Sequence, residues 1–433
     1  MLTMVLPEGL CSWPTVLLYG PGKEQLWLTE SESVTTLQRR RCRMRGAVLA
    51  KVSSMRRVGV EEEFLIVNCT DGRAVALGEV LESLSDDEGL SSEMKQEQIE
   101  TCTLPRTLLQ ELAQDITARR TSADATARSV GARAVALATS PLPVKTTTSP
   151  GPRYEKMTQR FALTAAEQLT CGCHVHVEVA SDEEGVGILD RIRVWLPVLL
   201  AISANSPFWN AVDSGYASYR SQAWNRWPTA GPCEVFGSAA AYHGQVQDIL
   251  ASGVPLDKGQ IYFDARLSHR HPTIEVRVAD VCLFADDAVL LAALVRGLAE
   301  TAARQWRDGV DPVPASAAQL RLASWQASRF GLDGELNHPL TGQPAPALEV
   351  VMGLLNHVEP VLVDQGELHA VETLLFQVLI RGTGATRQHK TFARSGSLRD
   401  VITDAAEASI LPAAALLATS RQRPDDRSLL PSE

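Results

Sequence analysis

Three separated stretches of the chain alternate polar and apolar residues with a period of two, the period of a strand whose successive side chains face opposite ways. In VGVEEEF, Val58, Val60, Glu62 and Phe64 fall on one side and Gly59, Glu61, Glu63 and Leu65 on the other. In CGCHVHVEV, Cys171, Cys173, Val175, Val177 and Val179 point one way, and His174, His176 and Glu178 the other. In TIEVRVAD, Thr273, Glu275, Arg277 and Ala279 share a face, leaving Ile274, Val276 and Val278 on the apolar one.

Between and beyond these strands the pattern lengthens to that of helices. Pro105 opens an amphipathic helix carrying Leu108, Leu109, Leu112 and Ile116, in the first turn, where proline is tolerated. Residues 186 to 204 read as one strongly apolar helix, with Ile188, Ile192, Trp195, Leu196 and Leu199 on one side and a kink at Pro197. Helical patterns recur at 285 to 306, 346 to 362 and 367 to 381, the last stopping at Gly382 as a C-cap. Glu93, Glu97 and Glu100 also fall at helical spacing, which reads as a solvated helix face.

Two loops stand out. TSPLPVKTTTSPGPR, residues 139 to 153, holds four prolines and reads as a linker or a lid. NSPFWNAVDSGYASYRSQAWNRWPTAGP crowds Trp209, Trp224 and Trp227 with Tyr216, Tyr219, Arg220 and Arg226. A loop of that length is uncommon in a compact domain without a job, although packing of the tryptophans onto the core is the competing account. Its arginines are the stronger functional candidates, since guanidinium forks grip carboxylate and phosphate.

Composition narrows the field. The 433 residues allow one large domain or two to three smaller ones, and a net charge of -10 argues against general nucleic-acid binding. Eight cysteines without paired spacing read as free thiols of a reducing compartment, and no apolar run is long enough for a membrane span, so a cytoplasmic protein is expected. The first 55 residues lack a sustained period and carry a basic cluster from Arg39 to Arg45. They read either as a disordered arm or as an overextended start, the true one being Met44 or Met55.

Each polar strand face alone is what a half-solvated sheet shows. Acidic pairs on one strand, an acid and an arginine on another and paired imidazoles on a third are a different matter, because stacked carboxylates repel unless a cation sits between them. The combination predicts a carboxylate-lined metal and phosphate site. A zinc-dependent hydrolase built on CxCHxH fits less well, because on a straight strand the two cysteines and the two histidines face opposite sides.

Taken in order, GVEEEF, EQIET, RYEKMTQRF, CGCHVHVEV, WLPVLLAISANSPFW, GYASYRSQAWNRWPTAGP, TIEVRVADV and TRQHKTFARSGSLRD resemble the carboxylate-amine ligase family of the glutamate-cysteine ligase type 2 group, from about Arg57 to Ala415. The resemblance implies an ATP-dependent ligase that activates a carboxylate as an acyl phosphate and joins it to an amine, with glutamate and cysteine as reference substrates. It implies an α+β fold, a curved, mainly antiparallel sheet with flanking helices like the catalytic domain of glutamine synthetase and guanido kinases. Residues 1 to 55 would be an N-terminal extension, 56 to 415 the catalytic domain and 416 to 433 a polar tail.

By the same resemblance the metal ligands are Glu61, Glu63, Glu93, Glu100, His174 and Glu275, which replaces the solvated-helix reading of Glu93 and Glu100. The ion is expected to be Mg²⁺, with Mn²⁺ allowed by the histidine. Arg277 and Glu275 take the catalytic role, Arg277 stabilising the transferring phosphoryl group. Arg220, Arg226 and Tyr219 are assigned to the substrate, and Arg387 and His176 to the nucleotide. Partners are small-molecule carboxylate and amine substrates, neither nucleic acid nor membrane, and a homo-oligomer is left open. The same mechanism on another amino acid and amine pair, or an ATP-binding sensor without turnover, are the alternatives.

Overall fold

Strand β1, Val58–Asn68, is the spine on which the rest is assembled. In chain order the other strands of its sheet are β2 (Leu90–Ser92), β3 (Gln98–Cys102), β4 (Ala132–Val135), β5 (Gly172–Glu178), β6 (Ala265–Leu267) and β7 (Thr273–Asp280). Across the sheet they run β6-β7-β5-β1-β3-β2, with β4 also paired to β1, and every pairing is antiparallel. The computed structural model describes residues 55–413 except 86 and 88, together with two earlier strands.

The chain divides into two units, Met1–Met55 and Arg56–Glu433. In the first, Val16–Tyr19 and Gln25–Leu28 pair antiparallel. The expectations of a disordered or overextended arm and of a polar tail fall, those two strands apart, outside the described residues.

The expected curvature is not there. The sheet is open, neither curled nor closed, and ends on both sides in strands of three residues, β6 and β2. Curling a sheet takes repeated bulges or glycine kinks. Among the described pairings one register shift occurs, between Val276 and Ala279 of β7.

Alternation sorts the strand faces as the sequence pattern implies. Val58, Val60, Val175, Val177, Ile274 and Val276 join one core with the helices Leu109–Ser129, Asp182–Ile192, Leu196–Ser203 and Ala285–Arg307. Glu62 points into this apolar layer, where Arg120 holds it through bonds of 2.6 and 3.0 Å. Arg120 spends its remaining donors on the carbonyls of Cys282, Leu283 and Ser409. A buried ion pair is tolerable only when so fully satisfied.

Three local expectations change. The 186–204 stretch is two helices, because Pro197 cannot donate within a helix and sits instead in the first turn of Leu196–Ser203. Pro105 precedes its helix, which starts at Leu109 and leaves Leu108 exposed. Glu93 to Glu100 is not helical at all; the segment runs from β2 into β3, and Glu97 turns away to accept Thr147 N–H at 2.9 and 3.0 Å. The 139–153 loop is stitched to this segment by Gln96 N–H on Thr147 O and Ser149 N–H on Met94 O, both 2.9 Å.

The six described cysteines are free, and among the described residues no helix is long and apolar enough to cross a membrane. One carboxylate in the fold carries a pH consequence away from the polar strand faces. Burial pushes Asp264 from about 3.8 up to about 7, against the opposing pull of Arg321 and Arg220. The folded state then holds a proton that the unfolded chain has released, so this contribution to stability is full below pH 4 and is lost as pH rises through 7. Asp264→Asn should therefore gain on the wild type by a few kcal/mol between pH 5 and pH 8 in urea denaturation, the order expected when folding holds back a carboxyl proton to this extent. A difference between the two proteins that stays constant across that range would refute the assignment.

Candidate active site

The polar faces of four strands form the floor of a cavity of about 730 Å³. Strand register places its side chains in rows: Glu275 of β7 opposite His176 of β5, His174 of β5 opposite Glu61 of β1, and Glu63 of β1 opposite Glu100 of β3. Directly opposed residues on one face lie within side-chain reach. Glu93, at the β2–β3 turn, completes an acidic trio with Glu63 and Glu100, whose donor oxygens lie within 4.8 Å of one another.

The walls come from outside the four floor strands. The helix Pro152–Glu167 contributes Arg153, Tyr154 and Met157, the aromatic loop gives Trp224 and Trp227, and residues 257–271 add Lys258, Tyr262, Arg266 and Arg270. Glu275 is gripped from two sides, by Arg266 through bonds of 2.8 and 3.1 Å and by Arg277. The Arg277 guanidinium lies 5.7 Å from the ring centre of Trp224 and 6.0 Å from that of Tyr262, so aromatic faces hem in a buried cation.

Electrostatics divides the floor into two halves. Burial opposes ionisation of Glu61, but the adjacent imidazoles of His174 and His176 outweigh it and hold the carboxyl well below the usual range. Glu275, though buried, is held low by Arg277 and Arg266. The acidic trio behaves oppositely. Burial and then Glu93 push Glu63 up to about 7, burial raises Glu93, and burial with Glu93, Glu61 and Glu63 drives Glu100 well above the ordinary value. Three such groups cannot all ionise unless a cation joins them.

The donors present fit a divalent cation. Glu63, Glu93 and Glu100 offer an all-oxygen set, and Glu61 can share oxygens with Glu100 and His174 or with His176 and Glu275. His174 places Nδ1 3.3 Å from Glu61, and its buried Nε2 has no hydrogen-bond partner. Burial and then Arg277 lower His174 to about 4, so its imidazole is neutral at pH 7 and keeps a lone pair to give. His176 Nε2 stands 3.1 Å from Glu61 without hydrogen-bond alignment, close to the ~3 Å spacing of neighbouring ligands around an ion bound at ~2.1 Å. Both oxygens of Glu275 already accept from arginine, which makes it the least available of the set.

Glu61, Glu63, Glu93, Glu100, His174, His176, Glu275 and Arg277 thus line one cavity. Arg220 is buried beneath it, where a Cβ on Gly172 would collide with its guanidinium; only glycine lets the two approach. Tyr219 and Arg226 are not among the lining residues: Tyr219 packs on Trp209 and Tyr216, and the exposed Arg226 pairs with Glu167 at 2.6 Å. Arg387 lies in a separate pocket of about 220 Å³ and is bound to Asp404 by two bonds of 2.8 Å.

Sequence reasoning did not name Arg266, Arg153, Lys258 or Arg270. Arg266 had a usable signal, since it sits opposite Glu275 in the β6–β7 pairing and alternation puts both on one face. Arg153 lies within RYEKMTQRF, whose spacing singles out no residue for the site; Lys258 and Arg270 stand in aperiodic chain.

Comparison with known proteins gives the same direction. The model of glutamate-cysteine ligase family 2 (GCS2) matches residues 57–404. A Streptomyces avermitilis protein carrying the name glutamate–cysteine ligase 2-1 is 50% identical over 355 residues, covering 81% of this chain and 98% of its own. A namesake from Paenarthrobacter aurescens is 49% identical over 362 residues, covering 81% and 94%. Among solved structures, the glutamate–cysteine ligase of Francisella tularensis, determined with AMP, superimposes with a TM-score of 0.58 at 15% identity over 85% of this chain and 92% of that one. The bifunctional glutathione synthetase of Pasteurella multocida gives 0.63 at 14% over 86% and 54%; at such identities these two show a shared fold. With the matched span taking in every carboxylate and histidine of the cavity floor, the chain belongs to glutamate-cysteine ligase family 2 and is an enzyme of the ATP-dependent carboxylate-amine ligase class.

Proposed function

We propose that the enzyme phosphorylates a substrate carboxylate with ATP and passes the acyl group to an amine, with glutamate and cysteine as the reference pair. The observation that carries this reading is the acidic trio Glu63, Glu93 and Glu100 beside a buried, aromatic-walled Arg277 in one cavity. In the first step an oxygen of the carboxylate takes the γ-phosphoryl group, giving an acyl phosphate and ADP. In the second the amine attacks the acyl carbon, the C–O bond to phosphate breaks, and the ammonium proton leaves to solvent or to a base.

Mg²⁺ or Mn²⁺ held by Glu61, Glu63, Glu93, Glu100 and His174 would neutralise charge on the phosphate oxygens. Arg277 supplies a fixed cation where charge develops, and Glu275 with Arg266 fixes its orientation. Phosphoryl transfer asks the protein for positioning and charge cancellation more than for covalent chemistry. Lys258 and Arg270 on the wall suit an acid that carries a second anionic group, as glutamate does, whereas Arg153 is already engaged by Asp257 at 2.7 Å. His176 stands beside Glu61 and Glu275, where an ion or a phosphate oxygen would meet it.

The test is coupled ADP release with Mg²⁺ and ATP over a panel of carboxylates, each with and without cysteine and other amines. Release should depend on both partners, stop with a chelator and return with Mg²⁺ or Mn²⁺. ATP binding with no release from any pair would replace this reading with a nucleotide-binding protein that does not turn over.

A further inference from the structure

Outside the cavity, a buried chain of polar side chains runs from the helix Gly384–Ser395 to the floor of the site. Gln388 donates through Nε2 to Asn205 O at 2.9 Å and to Asn205 Oδ1 at 2.7 Å. The backbone N–H of Asn205 donates to Asp280 Oδ2 at 2.8 Å, an oxygen that also accepts from Ser206 Oγ at 2.7 Å, while Ser218 Oγ donates to Asp280 Oδ1 at 2.8 Å. Ser206 Oγ in turn accepts the backbone N–H of Arg220 at 2.9 Å. Gln388, Asn205, Ser206, Ser218, Arg220 and Asp280 are each at most 2% exposed.

The chain has one sense. Asn205 Nδ2 faces two carbonyls, Ala136 O and Val281 O, which only accept, so its Oδ1 must face the Gln388 amide. A Cβ at Gly384 would collide with Asn205 Oδ1, so Gly384 and Gln388, one turn apart, clamp the same asparagine. At the other end the Arg220 guanidinium reaches the carbonyls of Arg277 and Val278 at 3.4 Å. Those carbonyls lie inside the register shift of β7, where pairing with β5 lapses between Val276 and Ala279. A bulge re-aims the side chain it carries, and here that side chain is Arg277.

We propose that the relay Gln388–Asn205–Asp280–Arg220 sets the bulge from which Arg277 projects, making the Gly384–Ser395 helix a positioning element of the active site although neither Gln388 nor Asn205 lines it. This gives the TRQH segment and the ANSPFW turn a joint purpose that the cavity alone does not explain. Arg220 acts as a positioning residue beneath the cavity floor. The consequence for turnover rests on the role given to Arg277 above; the consequence for geometry does not.

The experiment therefore reads both. Gln388→Leu keeps the volume and removes the donor, Arg220→Lys keeps the charge and removes the fork, and Val401→Ala, buried in the Leu398–Ser409 helix, controls for lost stability. Per folded molecule, Gln388→Leu should lower kcat about tenfold with KM for ATP within about twofold, and adding it to Arg220→Lys should cost nothing further, as coupled residues require. Losses that multiply in the double variant, or an equal loss in Val401→Ala at matched stability, would overturn the relay.

Trp224 provides a readout independent of activity, since its ring lies 5.8 Å from the Arg220 guanidinium and 5.7 Å from that of Arg277. In ligand-free protein labelled with 5-fluorotryptophan, the Trp224 resonance, assigned by loss in Trp224→Phe, should shift in Gln388→Leu toward its position in Arg220→Lys and stay put in Val401→Ala. An unmoved resonance in Gln388→Leu refutes the relay even where ADP release succeeds. A moved one sustains it even where ADP release fails.

Discussion

Arg277→Lys is expected to leave the protein folded and to cut ADP release by about 10²–10³-fold, the order of a lost preorganised donor at a developing charge. The fold should survive because Glu275, the carboxylate that Arg277 serves, keeps both of its bonds to Arg266. Removing one member of a buried ion pair usually leaves a bare charge behind; here a second guanidinium already stands in place. Lysine also retains the positive charge among Glu61, Glu63 and Glu275. What it gives up is the planar fork that can bond Glu275 and a phosphoryl oxygen together. Near-wild-type release from a protein of unchanged melting temperature would remove Arg277 from the reaction.

The largest loss of stability should come from Arg120→Met. Glu62 would then stand charged in the apolar layer with no partner, and the carbonyls of Cys282, Leu283 and Ser409 would lose their donor. Breaking a buried pair in this way costs about 3–5 kcal/mol. Exchanging both members, Glu62→Leu with Arg120→Met, should recover a good part of that, because an apolar pair of similar volume suits the layer. Urea midpoints of the two variants decide the matter; equal destabilisation in single and double would show that the carbonyl contacts, not the ion pair, dominate.

The floor of the site was legible because strand alternation is local and strict. Glu61 with Glu63, His174 with His176, and Glu275 with Arg277 could be put on one face from spacing alone, and register then brought the three faces together. Glu93 and Glu100 defeated the period, since acids three to four apart fit a helix as readily as a strand, turn and strand. Their place came from resemblance. Much of the walls was beyond spacing, since Lys258 and Arg270 stand in chain without a period; Arg266, opposite Glu275 across β6 and β7, is the exception. Arg387 shows a different limit: its partner Asp404 lies in the next helix, and nothing in either segment announces that the two carboxylate oxygens already occupy that fork. Curvature, too, is carried by bulges that leave the alternation of most strands untouched.

The rows that face each other on the floor also tie catalysis to the folding reaction. Glu61, Glu100, His174 and Glu275 reach one another only after β1 has paired with β3 and with β5, and β5 with β7, from segments spread over most of the catalytic unit. A slip of one residue in any of these pairings would turn a row to the opposite face. Recovery of activity during refolding should therefore be the last signal to return, after helix and collapse. A shortened chain that ends before Thr273 would keep Glu61, Glu63, Glu93, Glu100 and His174 but lose Glu275 and Arg277 with β7, and should release no ADP whatever metal it binds.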